Sequence, residues 1–302
     1  MSDKRILIGP SSFGDVDPAP KTLLKDAGYD IVDNPYKRKL AKKELLKLLT
    51  PGVVGLIAGL EPLDEEVLGA SSLKALSRVG SGVSNVDLDA AKRLGILVRS
   101  TPTGPVEAVA ELTVGAMLSL LRMIPAFDKD MHAGSWKKRF GSQIQGKTVA
   151  LVGFGKIGRR VAELLAPFGA DILAVDPALT ADDGTVRRCG LKDALARADI
   201  VSLHCAGDTE IIGSGEIESM KPGAYLLNAA RGGLVNETAL CEALRSGKLA
   251  GAWLDVFSEE PYAGPLTALD NALLTPHVGS YSKECRVEME TEAARNLLEA
   301  LA

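Results

Sequence analysis

Three apolar runs in this sequence each end on a residue able to do chemistry. The first, Tyr225-Leu226-Leu227-Asn228-Ala229-Ala230-Arg231-Gly232-Gly233, sets an arginine between a strand-like run and a glycine pair. A guanidinium so placed can grip a planar carboxylate through two parallel hydrogen bonds. The second runs from Gly251 to Pro261, reaching Asp255 at its end and Glu259 and Glu260 just beyond. The third, Leu274-Thr275-Pro276-His277-Val278-Gly279, carries one of the chain's three histidines. Taken singly, a surface arginine, a solvated acidic loop and a structural histidine are ordinary readings. Together they supply a proton donor and acceptor working near neutrality, a carboxylate to orient it and a cation for a substrate carboxylate. That set suits hydride transfer to or from a carbinol carbon. Of the other histidines, His204 ends the run Ile200-Val201-Ser202-Leu203 and is read as lying near a cofactor, whereas His132 reads as structural.

A second constellation is built for phosphate. The run Lys147-Thr148-Val149-Ala150-Leu151-Val152 leads directly into Gly153-Phe154-Gly155-Lys156-Ile157-Gly158 and then a helical stretch to Pro167. A bare Gly-x-Gly-x-x-Gly is a weak signal; a strand before it and a helix after it make it strong. Gly153 allows the tight turn, Gly155 lets a pyrophosphate approach the backbone, and Gly158 lets helix and strand pack closely. The helix start supplies amide donors and a favourable dipole. The next run, Asp171 to Val175, ends at Asp176, 23 residues beyond Gly153. An acid there hydrogen-bonds ribose hydroxyls and repels a 2′-phosphate, which predicts NAD rather than NADP.

These residues need a scaffold that brings strand ends together. Short apolar runs alternate with helical patterns along the whole chain. Ile6-Leu7-Ile8, Ile31-Val32, Val53 to Ala58, Arg78-Val79 and Ile96-Leu97-Val98 form one series of strand candidates, and Thr148 to Val152, Ile172 to Val175, Ile200 to His204, Tyr225 to Asn228, Ala252 to Asp255 and Leu273 to Thr275 form a second. Helix-like segments, such as 20–27, 41–49 and 88–94, lie between them. Alternation of this kind predicts an α/β class with two parallel, doubly wound sheets. Between the series, Val106 to Ile124 is apolar on almost every face, so a helix there is expected to be buried nearly all round. It could be an internal core helix, or one also covered by a second subunit. Residues 101–105, rich in Pro and Gly, are the hinge candidate.

Composition narrows the function classes. Lys and Arg total 35 against 39 Asp and Glu, and aromatic residues are 4% of the 302. Neither a basic excess nor a stacking platform for nucleic acid is present, so no nucleic-acid partner is expected. The apolar stretch at 106–121 contains Glu107 and Glu111, the N-terminus has too short an apolar run for a signal peptide, and no membrane role is expected. Cys189, Cys205, Cys241 and Cys285 show no Cys-x-x-Cys spacing and read as reduced thiols of a cytoplasmic protein. No metal site is expected.

The phosphate loop, Asp176, the Asn228-to-Gly233 turn, Leu254-Asp255-Val256-Phe257 with Glu260-Pro261, and Thr275-Pro276-His277 resemble the D-isomer-specific 2-hydroxy-acid dehydrogenase family, most closely its D-3-phosphoglycerate dehydrogenase branch. The resemblance runs from about Gly52 to the C-terminus and implies an NAD-binding Rossmann domain, 99–283, inserted in a flavodoxin-like substrate domain, 1–98 and 284–302. It implies that Arg231 binds the substrate carboxylate and keto oxygen, that His277 is the acid/base, and that Glu260 pairs with His277. Asp255 and the Ala229-Ala230 backbone would meet the nicotinamide carboxamide. Lys156, Ile157, His204, Cys205 and Gly279 would complete the NAD site. The turn Arg78-Val79-Gly80-Ser81-Gly82-Val83 would present the Ser81 and Gly82 amides to the substrate carboxylate. A homodimer through the helix at 105–124 is implied too.

The chain departs from the family pattern at Ser84, at Ala206, in a shortened loop at 207–212, and at Gly59, where phosphoglycerate enzymes tend to carry arginine. The chain stops at Ala302, so a short form without a regulatory domain is expected. The resemblance ranks 3-phosphoglycerate oxidation first and hydroxypyruvate or glyoxylate reduction second, with Arg78 and the run Lys37-Arg38-Lys39 as candidate phosphate partners. An NAD(H)-sensing, corepressor-like binding protein is the reading from another class.

Overall fold

Continuous runs of Val, Ile, Leu and Ala without polar alternation form strands that bury both faces, and the central strands of both series do so. In the computed structural model, which describes residues 4–184 and 186–302, the chain divides into two units, Met1–Pro105 with Ser280–Ala302 and Val106–Gly279. The division falls a few residues from the 98/99 and 283/284 boundaries expected from sequence. Thr101 bonds back to Gly80 through both its backbone and its hydroxyl, and Ser282 caps the last helix through Cys285, so both flanks belong to the first unit.

In that unit β1 (Arg5–Ile8), α1 (Ala19–Asp26), β2 (Asp30–Asp33), α2 (Lys42–Leu48), β3 (Val53–Ala58), α3 (Glu65–Gly69), β4 (Ala75–Arg78), α4 (Leu88–Arg93) and β5 (Leu97–Ser100) alternate in order. The sheet is parallel, with strand order β2-β1-β3-β4-β5. That is the flavodoxin-like order, in which direction reverses between β1 and β3. Leu7, Leu56, Leu76 and Leu45 anchor its core.

The second unit opens with α5 (Pro105–Leu121) and α6 (Ile124–His132), followed by β6 (Thr148–Val152), α7 (Lys156–Leu165), β7 (Asp171–Val175), β8 (Arg187–Arg188), α8 (Leu191–Arg197) and β9 (Ile200–Leu203). After these come α9 (Ser214–Ser219), β10 (Ala224–Asn228), α10 (Glu237–Ser246), β11 (Leu249–Leu254) and β12 (Ala272–Leu274). Its seven-stranded sheet has the order β12-β11-β10-β9-β6-β7-β8, all parallel. This is the Rossmann order with one more strand, and it reverses between β6 and β9. The final helix, α11 (Lys283–Leu301), returns to the first unit and packs on β3, β4 and β5.

The helix expected over Val106–Ile124 is corrected in two respects. It ends at Leu121, because Met123 takes a left-handed conformation (φ 54°) and caps α6, which has Pro125 in its first turn. Nor is it buried all round: Ala110, Val114, Met117 and Leu121 pack on Val149, Leu151 and Trp253, while Glu107, Glu111 and Gly115 are exposed. Leu112, Leu118 and Leu120 are half-buried. Among the described residues no single helix is long and apolar enough to cross a membrane; α5 and α6 together have the composition but bend by 63°.

Candidate active site

The phosphate loop follows β6 at the sheet's reversal. Gly153 lies at φ +94°, and its N–H donates to Val175 O at 2.8 Å. A Cβ there would stand 2.4 Å from Cys205 N and 2.5 Å from the His204 carbonyl carbon, and one at Gly158 would stand 2.2 Å from Gly153 O. The loop is thus clamped by the segment after β9 and by its own helix. At Gly155, by contrast, nothing among the described residues lies within 4 Å of a built Cβ. The open glycine caps α7, whose first residues are Lys156, Ile157 and Gly158. Asp176 accepts the Phe154 N–H at 2.7 Å and the Ala178 N–H at 2.8 Å, so the acid expected to read ribose also holds the loop. Cys205 and His204 border the same reversal. Burial drives the His204 ring down to about 4, leaving it neutral with Nε2 2.9 Å from the Ser202 hydroxyl. Burial, and then the charge of Asp176, raises the Cys205 thiol.

The turn after β10 is held by Asn228, whose fully buried amide donates to Arg231 O at 2.8 Å and accepts from Ala230 N at 3.0 Å. Arg231 is extended, and its Nη1 donates to Ala230 O at 2.6 Å. Beyond it the backbone meets the loop after β11 so closely that a Cβ at Gly232 would lie 1.9 Å from the Phe257 carbonyl carbon. Phe257 stacks on Tyr262 with ring centroids 4.3 Å apart. The Ser258 N–H and hydroxyl both donate to Glu237 Oε1, at 2.7 and 2.8 Å. From this doubly anchored loop Glu260 reaches His277, with Nδ1 2.9 Å from Oε2 and 3.1 Å from Oε1. The pair the resemblance implies is therefore formed.

His277 stands at φ 55° in a turn organised by Asp255. The Asp255 carboxylate, almost wholly buried, accepts from the Thr275 hydroxyl at 2.6 Å, Val278 N at 2.8 Å and Gly279 N at 2.7 Å. Trp253 Nε1 donates to the same Thr275 hydroxyl oxygen at 3.0 Å. Burial pushes the Asp255 carboxyl up, against the pull of those bonds and of His277. The structure thus gives Asp255 partners in the His277 turn, and Gly279 is one of them. Asn228, Thr275 and Glu237 were not among the expected site residues. A short polar side chain ending or following a strand was their only signal.

The first unit carries the remaining candidates at its own strand ends. Gly80 (φ +129°) closes the turn after β4, donating to Thr101 Oγ1 at 2.7 Å, and Arg78 folds back onto the Val79 carbonyl. Ser81 is exposed and Gly82 half-buried. Arg38, a candidate phosphate partner, makes a two-bond fork with Glu44, at 2.9 and 2.6 Å. Glu61, in the segment after β3, was not singled out. It is almost completely buried, with Oε1 accepting the Gly59 N–H at 2.9 Å. Burial pushes its carboxyl up, while the Gly59 and Glu61 amides and the charges of Arg78 and Lys39 pull down.

Residues 114–279 match the family model described as D-isomer specific 2-hydroxyacid dehydrogenase, NAD binding domain. D-3-phosphoglycerate dehydrogenase of Mycobacterium tuberculosis is 38% identical over 281 residues, 90% of this chain and 52% of that protein. The Homo sapiens enzyme of the same name is 35% identical over 301 residues, 96% and 55%. The chain spans about half the length of these curated relatives. Among solved structures, one from Thermus thermophilus superposes with a TM-score of 0.88 at 36% identity, covering 98% of this chain and 96% of that one. A glyoxylate reductase from Paecilomyes thermophila gives 0.85 at 30% identity, covering 100% and 96%.

Proposed function

The chain belongs to the D-isomer specific 2-hydroxyacid dehydrogenase family, and on that premise we propose that it interconverts a D-2-hydroxy acid and its 2-keto acid with NAD. The observation that carries this reading is the Glu260–His277 pair, set in the same unit as a phosphate loop whose Gly155 is open. Glu260 accepts the Nδ1 proton, which leaves Nε2 to take the hydroxyl proton during oxidation and return it during reduction. Arg231 orients the acid through its carboxylate and keto oxygen, and Ser81 and Gly82 add backbone donors. Gly153, Gly155, Lys156, Ile157 and Gly158 hold the pyrophosphate, and Asp176 takes the ribose hydroxyls in preference to a 2′-phosphate. NAD, when bound, supplies the hydride acceptor.

Residues 1–105 with 280–302 serve as the substrate unit and 106–279 as the cofactor unit. The half-buried apolar flank of α5 supports a homodimer, and four free cysteines support a cytoplasmic location. Similarity ranks 3-phosphoglycerate first; Gly59 beside the buried Glu61 favours hydroxypyruvate or glyoxylate. The test is a keto-acid panel followed by the loss of NADH absorbance. His277→Ala is expected to lower turnover by about 10²–10⁴-fold while NADH still binds. Near-full activity in that variant removes His277 from the mechanism. Failure of every keto acid, with NADH still bound, would favour a sensing role instead.

A further inference from the structure

In open parallel sheets a ligand lies beyond the carboxyl ends of the strands, where strand order reverses. The second unit places an open glycine at its reversal, Gly155, following β6. In the first unit the reversal lies between β1 and β3, and there an acid fills the space. A Cβ at Gly9, just after β1, would stand 2.1 Å from Glu61 Oε1, and one at Gly59, just after β3, 2.9 Å from Oε2. The carboxyl is wedged against the two glycines. Its loop is tied down around it: Asn85 donates to Gly59 O at 3.2 Å and to Glu61 O at 2.7 Å, and Asn34 donates to Gly9 O at 2.7 Å. Arg78, which ends β4, and Lys39 lie within its electrostatic reach.

We propose that Glu61 is the residue that selects the substrate tail, excluding a phosphorylated 2-keto acid and admitting one whose tail is small and uncharged or ends in a hydrogen-bond donor. Two features carry this. The acid fills the space that a bulky tail group would need, and in the charged form, which Arg78 and Lys39 favour against its burial, it opposes a dianionic group by like charge. Its attraction to Arg78 and Lys39 also compensates the cations that a phosphate would otherwise engage. Glycine at 59 makes room for this acid, since a side chain there would meet the Glu61 carboxylate.

The proposal rests on the dehydrogenase reading, and one experiment separates the two. The unaltered protein, Glu61→Gln and Glu61→Ala are each given hydroxypyruvate and 3-phosphohydroxypyruvate with NADH, after thermal melts identify the folded variants. The unaltered protein should have the higher kcat/KM on hydroxypyruvate. In a folded variant the ratio of phosphorylated to unphosphorylated kcat/KM should rise by about tenfold or more, mainly through KM on the phosphorylated acid, an effect that general loosening of the fold would not produce. Preference of the unaltered protein for the phosphorylated acid overturns the proposal even if neither variant folds. So does a ratio that stays within about twofold in a folded variant. Both results leave the dehydrogenase reading standing, whereas no turnover of either acid overturns the proposal, and sinks the dehydrogenase reading with it only if glyoxylate and pyruvate are inert too.

Discussion

Gly232→Ala tests how the site is assembled, because the obstacle to a side chain there is backbone. The added methyl would lie 1.9 Å from the Phe257 carbonyl carbon, 2.0 Å from its oxygen and 2.3 Å from Ser258 N. Ordinary contact begins at 3.4 Å, so the two segments must separate by roughly 1–1.5 Å. If the loop after β11 yields, Glu260 moves off His277, and the 2.9 Å contact passes out of hydrogen-bond range. If the turn after β10 yields, Arg231 moves instead. Either displacement should cost about 10²-fold in kcat/KM, the scale expected when reacting groups are misplaced by an ångström. Overpacking should cost a further 1–3 kcal/mol, roughly, in stability. Steady-state reduction of a keto acid gives the first quantity, denaturant unfolding the second, and NADH fluorescence titration supplies the control. Because the phosphate loop lies at a different strand end, NADH affinity should change little. A folded Gly232→Ala protein retaining near-normal kcat/KM would refute this account of how Arg231 and Glu260 are held in register.

Two further substitutions probe the cofactor unit. At Gly155 the space is open, so Gly155→Ala should cost under about 1 kcal/mol in stability yet weaken NADH binding by about tenfold or more, since the methyl occupies the approach to the pyrophosphate; unchanged affinity by titration counts against the phosphate assignment. His204, held near 4 against an ordinary 6.5, makes acid stability the other readout. The unfolded chain binds the proton more readily, so this contribution to stability is complete above pH 6.5 and shrinks as pH falls toward 4, by about 3 kcal/mol in all. His204→Gln should therefore flatten the fall in melting temperature over that window without cofactor, and parallel curves for the two proteins would contradict it.

Strands buried on both faces were the most legible part of the fold. β3 and β6 match the apolar runs Val53 to Ala58 and Thr148 to Val152 end to end, because no polar residue interrupts them. β4 lies earlier than Arg78-Val79 suggested, since Ser77 is polar yet wholly buried inside it. β8 is two exposed arginines at a sheet edge and carries no apolar signal at all. At the candidate site, residues whose chemistry is intrinsic could be singled out from sequence: an imidazole, a guanidinium, a glycine loop. Those that act by holding others were not. Asn228, Thr275 and Glu237 gain meaning only once folding sets them beside the turns they hold. Glu61 stayed hidden for a related reason, as its burial depends on its packing against two glycines, one of them far away in sequence.

His277 shows why so many holding residues are needed. Its backbone lies at φ 55°, a left-handed conformation that costs a non-glycine residue about 1–2 kcal/mol, and the proposed proton transfer requires its ring to be held in one orientation. The turn does not hold that conformation by itself. Asp255 bonds Thr275 before the histidine and Val278 and Gly279 after it, which offsets the cost from both sides. Glu260 then fixes the remaining freedom, rotation of the ring. Glu260 in turn depends on Glu237 holding Ser258 and on the bare Gly232 lying under Phe257. Strain at one residue is thus sustained by anchors from β10, β11 and α10, elements that meet only in the finished sheet, and the proton-transfer geometry can form only after the unit has folded.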